Sequence, residues 1–366
     1  MAFVTGVGLG LGKSVGGPAK SQFVGARVSA DKVRGLTARW NMADVLIVNA
    51  PSGGHAFIGY HLADQLVAKG HEVSIYNAGE EEKATKKNPC ASYGDLTAKG
   101  VSVAYGDPTS EDVGADIEKA FAKKFSVIIE NFSKSAEEIT PMVKHATGTG
   151  VEQFLYVSSC GIYKKSDEVP LQVGDPVNEK AGQVAVEKLL ESSGLNYSSF
   201  RPIYIVGPKA AKSDYLDYFF HRIVRKRPVL LPGSGDQMTS VTHVGDVASM
   251  LVDAVGNENA SKEIFNVVSP RYVTHSGVAK LCAKATGMEA EIVNFEPEKL
   301  TVELKKFFPF RNQHFFANPG KAMSLLGWEN THGLEAAIEE GFKEFQDSGK
   351  GSADFDFTVD DMLLNE

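Results

Sequence analysis

From residue 44 onward, apolar runs alternate with amphipathic stretches at a regular interval. Asp44–Asn49 (DVLIVN) is a short, nearly unbroken apolar run, the pattern of a strand buried on both faces. Ile58, Leu62 and Leu66 then recur every four residues, one face of a helix that Gly70 ends. A second strand follows at 73–76, so strand, glycine turn, helix and strand make one βαβ unit. Further strands are predicted at 101–105, 126–130, 153–158 and 197–201, with helices at 111–123, 136–149 and 178–193. This alternation predicts an α/β fold, a doubly wound parallel sheet of Rossmann type. After Pro202 the pattern loosens into a smaller α/β lobe. Helices are expected there at 215–226, 244–255, 275–286, 297–306 and 332–347, and short strands at 228–231 and 238–242. The organisation read from the chain is a leader (1–41), a Rossmann-like core (42–207), a lobe interleaved with it (208–349) and an acidic tail (350–366) expected to be partly disordered.

Composition is that of a globular protein, with 43% hydrophobic and 23% charged residues, and no apolar run reaches the roughly 20 residues of a membrane span. Cys90, Cys160 and Cys282 are too scattered for a disulfide framework or zinc site and read as buried thiols. Charge changes the picture more. Residues 1–40 hold six basic side chains and one acid, a net of +5, against -8 for the whole chain. A basic, acid-poor leader rich in Gly, Ser and Ala has the composition of an organelle transit peptide. The remaining -13 argues against bulk attraction to nucleic acid, so any such site must be a local basic patch.

Ser52-Gly53-Gly54-His55-Ala56-Phe57-Ile58-Gly59 stands where a dinucleotide fingerprint belongs, between strand and helix. Ser52, Gly53, Gly54, His55 and Gly59 are the nucleotide-binding candidates. The middle glycine is replaced by Ala56, and the acid expected after the second strand is replaced by Asn77, which retains the capacity to hydrogen-bond a ribose. The same glycines also have a purely structural use in closing this corner. NAD(P) binding is therefore doubtful on the residues alone.

FLYVSSCGIY (154–163), VEKLL (186–190), FRPIYIVGP (200–208) and HVGDVA (243–248) together resemble the extended short-chain dehydrogenases. That family works with a tyrosine and a lysine four residues on. Anchored on Glu187, those two positions hold Glu179 and Gln183. Glutamine has no charge with which to depress a neighbour's pKa, and an ordinary glutamate is a poor proton donor at neutral pH. The serine position survives in Ser158-Ser159. Tyr163 and Lys180 lie seventeen residues apart and do not form the i,i+4 pair. Oxidoreductase activity is not expected.

VLIVNAPSGGHAFIG (45–59), QFLYVSSCGIYK (153–164), GDPVNEKAGQVAVEKLL (174–190), YFFHRIVRKRPVLLPGSGDQMTSVTHVGDV (218–247) and FFPFRNQHFFANP (307–319) are similar to the chloroplast stem-loop-binding proteins. The resemblance runs from the first strand almost to the C-terminus. It implies a plastid stroma location, binding to structured RNA, association with plastid ribosomes, and pairing with itself or a sister protein. It also implies endoribonuclease activity that depends on a divalent metal such as Mg2+. No residue spacing marks a metal site or a nuclease centre; Asp246 reads as a helix-start acid. For RNA contact the densest basic run is 221–227, with Arg222, Arg225 and Lys226 sharing a helical face and Arg227 beside them. Lys305, Lys306 and Arg311, followed by Phe315 and Phe316, are a second candidate, in which the aromatics would stack on bases. Lys209, Lys212, His55 and His314 are lesser ones. A competing expectation is an NAD(P)-binding epimerase- or reductase-like enzyme or redox sensor; a third is a ribosomal scaffold without direct RNA contact.

Overall fold

A computed structural model describes residues 42–51, 55–210, 215–300 and 302–365. The leader, Ser52, Gly53, Gly54 and Lys212 lie outside the described residues. Strands β1 (Asp44–Asn49), β2 (Glu72–Ala78), β3 (Ser102–Gly106), β4 (Val127–Asn131), β5 (Gln153–Val157) and β6 (Tyr197–Pro202) form a wholly parallel sheet in the order β6-β5-β4-β1-β2-β3. Along β1, Val45 and Ile47 enter one core while Leu46 and Val48 enter the other. Helices Ala56–Ala68 and Val244–Ala254 cover the first face. Helices Val113–Phe121, Ala136–Thr149 and Gly182–Ser192 cover the second. Burial on both faces is why the strands read as apolar runs rather than alternations.

The lobe adds β7 (Ile205–Val206), β8 (Val229–Pro232), β9 (Met238–Thr239), β10 (Thr242–His243), β11 (Glu263–Val267), β12 (Val273–Thr274) and β13 (Ile292–Phe295). β11 returns to the main sheet and pairs in parallel with β6, making a seventh strand at its edge. The lobe's own core lies among helices Asp217–Ile223, His275–Thr286 and Leu334–Asp347 and the rings of Phe308 and Phe310.

Three expectations are corrected. The predicted helix at 297–306 is a single 3-10 turn, Pro297–Lys299, followed by a one-turn helix, Leu304–Phe307. The helix expected from 178 starts at Gly182, because Asn178 closes a turn first: its carbonyl accepts from Ala181 N at 2.8 Å and its Oδ1 from Lys180 N at 3.2 Å. Gly182 then sits so close to the chain at 134 that a Cβ there would lie 2.0 Å from the Lys134 carbonyl oxygen. The acidic tail is ordered against the lobe and carries the helix Thr358–Leu364.

Candidate functional site

β1 and β4 end in asparagine and β2 carries one next to its end, and the parallel register sets Asn49 beside Asn77 on one side and Asn131 on the other. All three are buried. Asn49 Nδ2 donates to Tyr93 Oη at 2.8 Å and to the Ala56 carbonyl at 3.0 Å. Tyr93 Oη donates to Asn77 Oδ1 at 2.9 Å. Asn131 Nδ2 donates to Asn49 Oδ1 at 2.8 Å and to the His55 carbonyl at 3.1 Å. Amides from three strands thus hold the start of helix Ala56–Ala68 from below. Gly59 fits against this row because a Cβ there would lie 2.4 Å from Asn49 Oδ1. Asn77, expected to be able to reach a ribose, is fully buried and engaged with Tyr93 and the Ala78 carbonyl. The asparagine repeated at or next to these strand ends is a sequence signal that the glycine-centred reading passed over. His55 precedes the helix without capping it by its side chain.

At the carboxyl end of β5, the expected dehydrogenase pair does not exist as a pair. Glu179 is exposed, lies in the turn before helix Gly182–Ser192 and binds Lys188, whose hydrogen bond and charge hold its carboxyl below the usual range. Gln183 lies on the helix, so the two do not share a helical face. Ser159 Oγ accepts from Gly161 N at 2.9 Å. Tyr163 is buried. It accepts from Arg201 Nη1 at 2.8 Å and donates to Asn266 Oδ1 at 2.7 Å, and burial pushes its phenol well above the usual value. Arg201 grips Glu187 through Nε at 2.9 Å and Nη2 at 2.6 Å. Burial alone would lower the guanidinium pKa; the bonds and charge of Glu187 outweigh it and hold the group above its usual value. Buried Glu130, at the end of β4, is pushed up to about 7 by burial, against the bonds it accepts from Ser133 and Phe132. These groups hold the fold together around the cleft and leave no accessible proton donor at the old tyrosine position.

Above them the chain converges from four directions. Lys164 N donates to the Pro176 carbonyl at 3.0 Å, and Asn178 N to the Ile162 carbonyl at 2.7 Å. Helix Gly182–Ser192 starts against residue 134. Arg311 reaches over from the lobe and donates to the Gly161 carbonyl at 2.8 Å, its guanidinium 4.2 Å from the centre of the Phe315 ring. Lys134, Lys164, Lys165, Lys180 and Arg311 are all exposed on these segments. The carboxyl end of a parallel sheet is where ligands of such folds bind, and here its rim carries these five exposed cations interspersed with exposed Glu137, Asp167, Glu168 and Glu179. Of this set only Arg311 was singled out from sequence.

The other candidates separate. Arg222 is not exposed: it is buried and paired with buried Asp360 at 2.7 and 2.9 Å. Arg225 donates to the carbonyls of Lys350 and Ala353, and Arg227 binds Asp361. Lys226 alone of the run is well exposed. Helix Asp217–Ile223 turns its residues inward because Tyr218, Phe219, Phe220 and Ile223 belong to the lobe core. Lys305 and Lys306 are exposed beside Glu303, at 2.8 and 3.6 Å. Phe315 and Phe316, expected to stack on bases, are 3% and 5% exposed and serve the core. His314 Nδ1 accepts from Met238 N at 3.0 Å. Lys209 reaches Ser92 Oγ at 3.0 Å. Asp246 is buried and accepts from Thr331 N at 3.0 Å and Thr331 Oγ1 at 2.9 Å. The three cysteines are buried and form no disulfide. A cleft of about 490 Å3 opens at the amino ends of β4 and β5, beside Lys123, Phe125 and His145, and holds none of these groups.

Residues 52–268 match the NAD dependent epimerase/dehydratase family. The chain is 37% identical, over 86% of its length and 83% of the relative's, to the chloroplast stem-loop binding protein of 41 kDa b of Arabidopsis thaliana. The chain belongs to the chloroplast stem-loop-binding branch of that family. The stem-loop-binding fold is correspondingly epimerase-like. A Thermotoga maritima UDP-glucose 4-epimerase with UDP-glucose superposes with a TM-score of 0.64 at 19% identity, covering 83% of this chain and 99% of that one. A Stenotrophomonas maltophila UDP-glucose-4-epimerase with bound NAD gives 0.67 at 16% identity, covering 85% and 100%. Such likeness fixes the fold alone. This chain departs from the dehydrogenase pattern at Glu179, Gln183 and Asn77. Among the described residues, no group of three or more His, Cys, Asp or Glu side chains is placed to hold a metal ion, and no helix is long and apolar enough to cross a membrane. The residues described therefore do not fit the Mg2+ that the resemblance implied.

Proposed function

We propose that this chain is an RNA-binding protein of the chloroplast stroma that recognises structured, stem-loop RNA, and that Lys134, Lys164, Lys165, Lys180 and Arg311 are its phosphate contacts. Kinship with a named stem-loop binding protein over 86% of the chain carries the reading. The cations of the rim support it, since lysines and arginine on converging segments neutralise neighbouring phosphates without needing a net basic protein. Residues 1–41 are then the import signal, and plastid ribosomes are the RNA-rich particle on which such a protein would reside. Glu179 and Gln183 leave the old site without a proton donor, so the cleft serves binding rather than hydride chemistry. Lys305 and Lys306 extend the basic surface.

The test is titration of a folded stem-loop and an unstructured RNA across salt, with and without magnesium, and a gel to read cleavage. Tighter, salt-sensitive binding of the stem-loop is expected. Lys164→Gln, Lys165→Gln and Lys180→Gln together should weaken it and flatten the salt slope by about one per lysine. Equal slopes in the variant and parent would remove the rim from the interface. The epimerase-like fold favours a second reading, dinucleotide binding. Fluorescence quenching by NADPH at micromolar concentration, abolished by Gly59→Val, would establish it.

A further inference from the structure

Residues 351–366 contain five carboxylates and no cation, and they lie on the one dense basic run of the chain. Arg222 is held side-on by Asp360 through Nε and Nη2, with both side chains 2–3% exposed. Arg227 binds Asp361, and its guanidinium lies 4.4 Å from the centre of the Phe357 ring. Arg225 donates to the carbonyls of Lys350 and Ala353. The Phe355 ring stacks on His221 at 4.0 Å. Every arginine of the run thus donates a hydrogen bond to the C-terminal segment.

How this segment is held is unusual. Between residues 351 and 365 the one buried side chain is Asp360, a carboxylate. Phe355, Met362 and Leu364 remain 38%, 44% and 37% exposed. A segment docked by the hydrophobic effect buries its apolar face and leaves its acids in water; here the one side chain fully buried is an acid, while no apolar side chain is. Attachment rests on guanidinium–carboxylate pairing, which salt weakens at its exposed members and which phosphate oxygens reproduce with the same forked geometry.

We propose that residues 350–365 form an acidic strap occupying a second RNA surface, made of Arg222, Arg225, Lys226 and Arg227, and that RNA phosphates displace the strap from it. The inference rests on the RNA-binding reading above and adds its regulation. The strap is a built-in polyanion: it keeps the surface closed to weak or sparse anions and yields to a ligand that presents many phosphates at once.

The test uses the full chain. Asp360→Asn with Asp361→Asn removes the strap's two paired charges. Asp112→Asn with Glu118→Gln, exposed acids at the other side of the sheet, makes the same change in net charge. Stem-loop RNA is titrated against each across salt. The strap variant should bind at least about fivefold tighter at low salt, with a steeper salt slope, while the control stays near the parent. Adding Arg225→Gln, Lys226→Gln and Arg227→Gln to the strap variant should erase the gain. In the parent, saturating RNA should raise amide exchange across 350–365. No gain, or an equal gain in the control, overturns the strap with RNA binding intact. Absence of binding by parent and variant alike overturns the RNA reading and the strap together. Should the double variant lose its cooperative melt, Asp361→Asn alone leaves the buried pair in place and must still show a smaller gain of the same sign.

Discussion

Replacing Glu187 with glutamine strips the charge from one half of a pair that burial makes consequential. Its carboxylate takes two hydrogen bonds from Arg201, and the side chains are 8% and 4% exposed. The arginine keeps its charge at every accessible pH, so the variant leaves a cation in the interior facing one neutral amide. Removing one partner of a buried pair typically costs about 3–5 kcal/mol, and glutamine's remaining acceptor oxygen argues for the low end, about 3 kcal/mol. Bonds from Arg201 Nη1 to Tyr163 and Val173 persist and do not supply the missing charge. In a chain of this size the loss corresponds to a fall in melting temperature of roughly 4–5 °C. The informative companion is Glu187→Leu with Arg201→Met, which removes both charges. Replacing a whole buried pair by apolar groups is often neutral, so the double variant should recover most of the loss. Denaturant melts of parent, single and double variants give the coupling directly. A loss below about 0.5 kcal/mol in Glu187→Gln, or a double variant as unstable as the sum of the singles, would refute the view that pairing rather than packing holds this corner.

Gly59→Ala should destabilise the chain by about 2–4 kcal/mol in the same melts, because its Cβ would press on Asn49 and break up the buried asparagine row. Melts against pH should show the imprint of His275, whose ring nitrogens have no hydrogen-bond partner among the described residues and whose pKa burial, then the charge of His314, pushes down to about 4. Below its ordinary 6.5 the unfolded chain takes up a proton that the folded one refuses, so stability falls as pH drops from 6.5 towards 4, by about 2–3 kcal/mol from this residue. Glu130, pushed up to about 7, acts in the opposite sense over much of that window, so the quantity to measure is the difference between parent and His275→Phe. A pH-independent difference would assign the histidine no linkage. Asn77→Asp should lower stability without creating dinucleotide affinity, since the new carboxylate would be buried against Tyr93 with no cation among its hydrogen-bond partners; binding of NADPH by that variant would show that the row can open.

The parallel sheet was legible because each of its first six strands is locally apolar, bounded by glycine or polar turns, and, except between β2 and β3 where two short helices intervene, followed by one main helix. β11 was harder to assign. IFNVV is as apolar as the others, but nothing local says that it leaves the lobe and pairs with β6. The lost dehydrogenase pair was legible as two substitutions, while the turn that keeps Glu179 off the helix depends on Asn178 bonding and on contact with residue 134. The basic run failed for a more general reason. Spacing of i, i+3 and i+4 puts Arg222, Arg225 and Lys226 on one helical face, but the helix ends at Ile223, Lys226 takes a left-handed φ of 54°, and spacing does not say which of the three meet water. The run's partners lie well over a hundred residues away, as with Asp360 and the Lys350 carbonyl. Conversely, Lys134, Lys164, Lys165 and Lys180 are scattered in sequence and meet only because loops at one end of the sheet converge.

The pairing of Arg222 with Asp360 spans 138 residues and ends close to the last residue of the chain. Translation at about 5–20 residues per second puts roughly 7–28 s between synthesis of the arginine and synthesis of its counter-ion. During that interval the helix bearing Arg222 can place its aromatic face in the lobe core, while the guanidinium stays in water or on whatever anion is at hand. A ribosome is itself a dense polyanion. The lobe therefore balances Arg222 only once residue 360 has been made, long after the core around the arginine can pack.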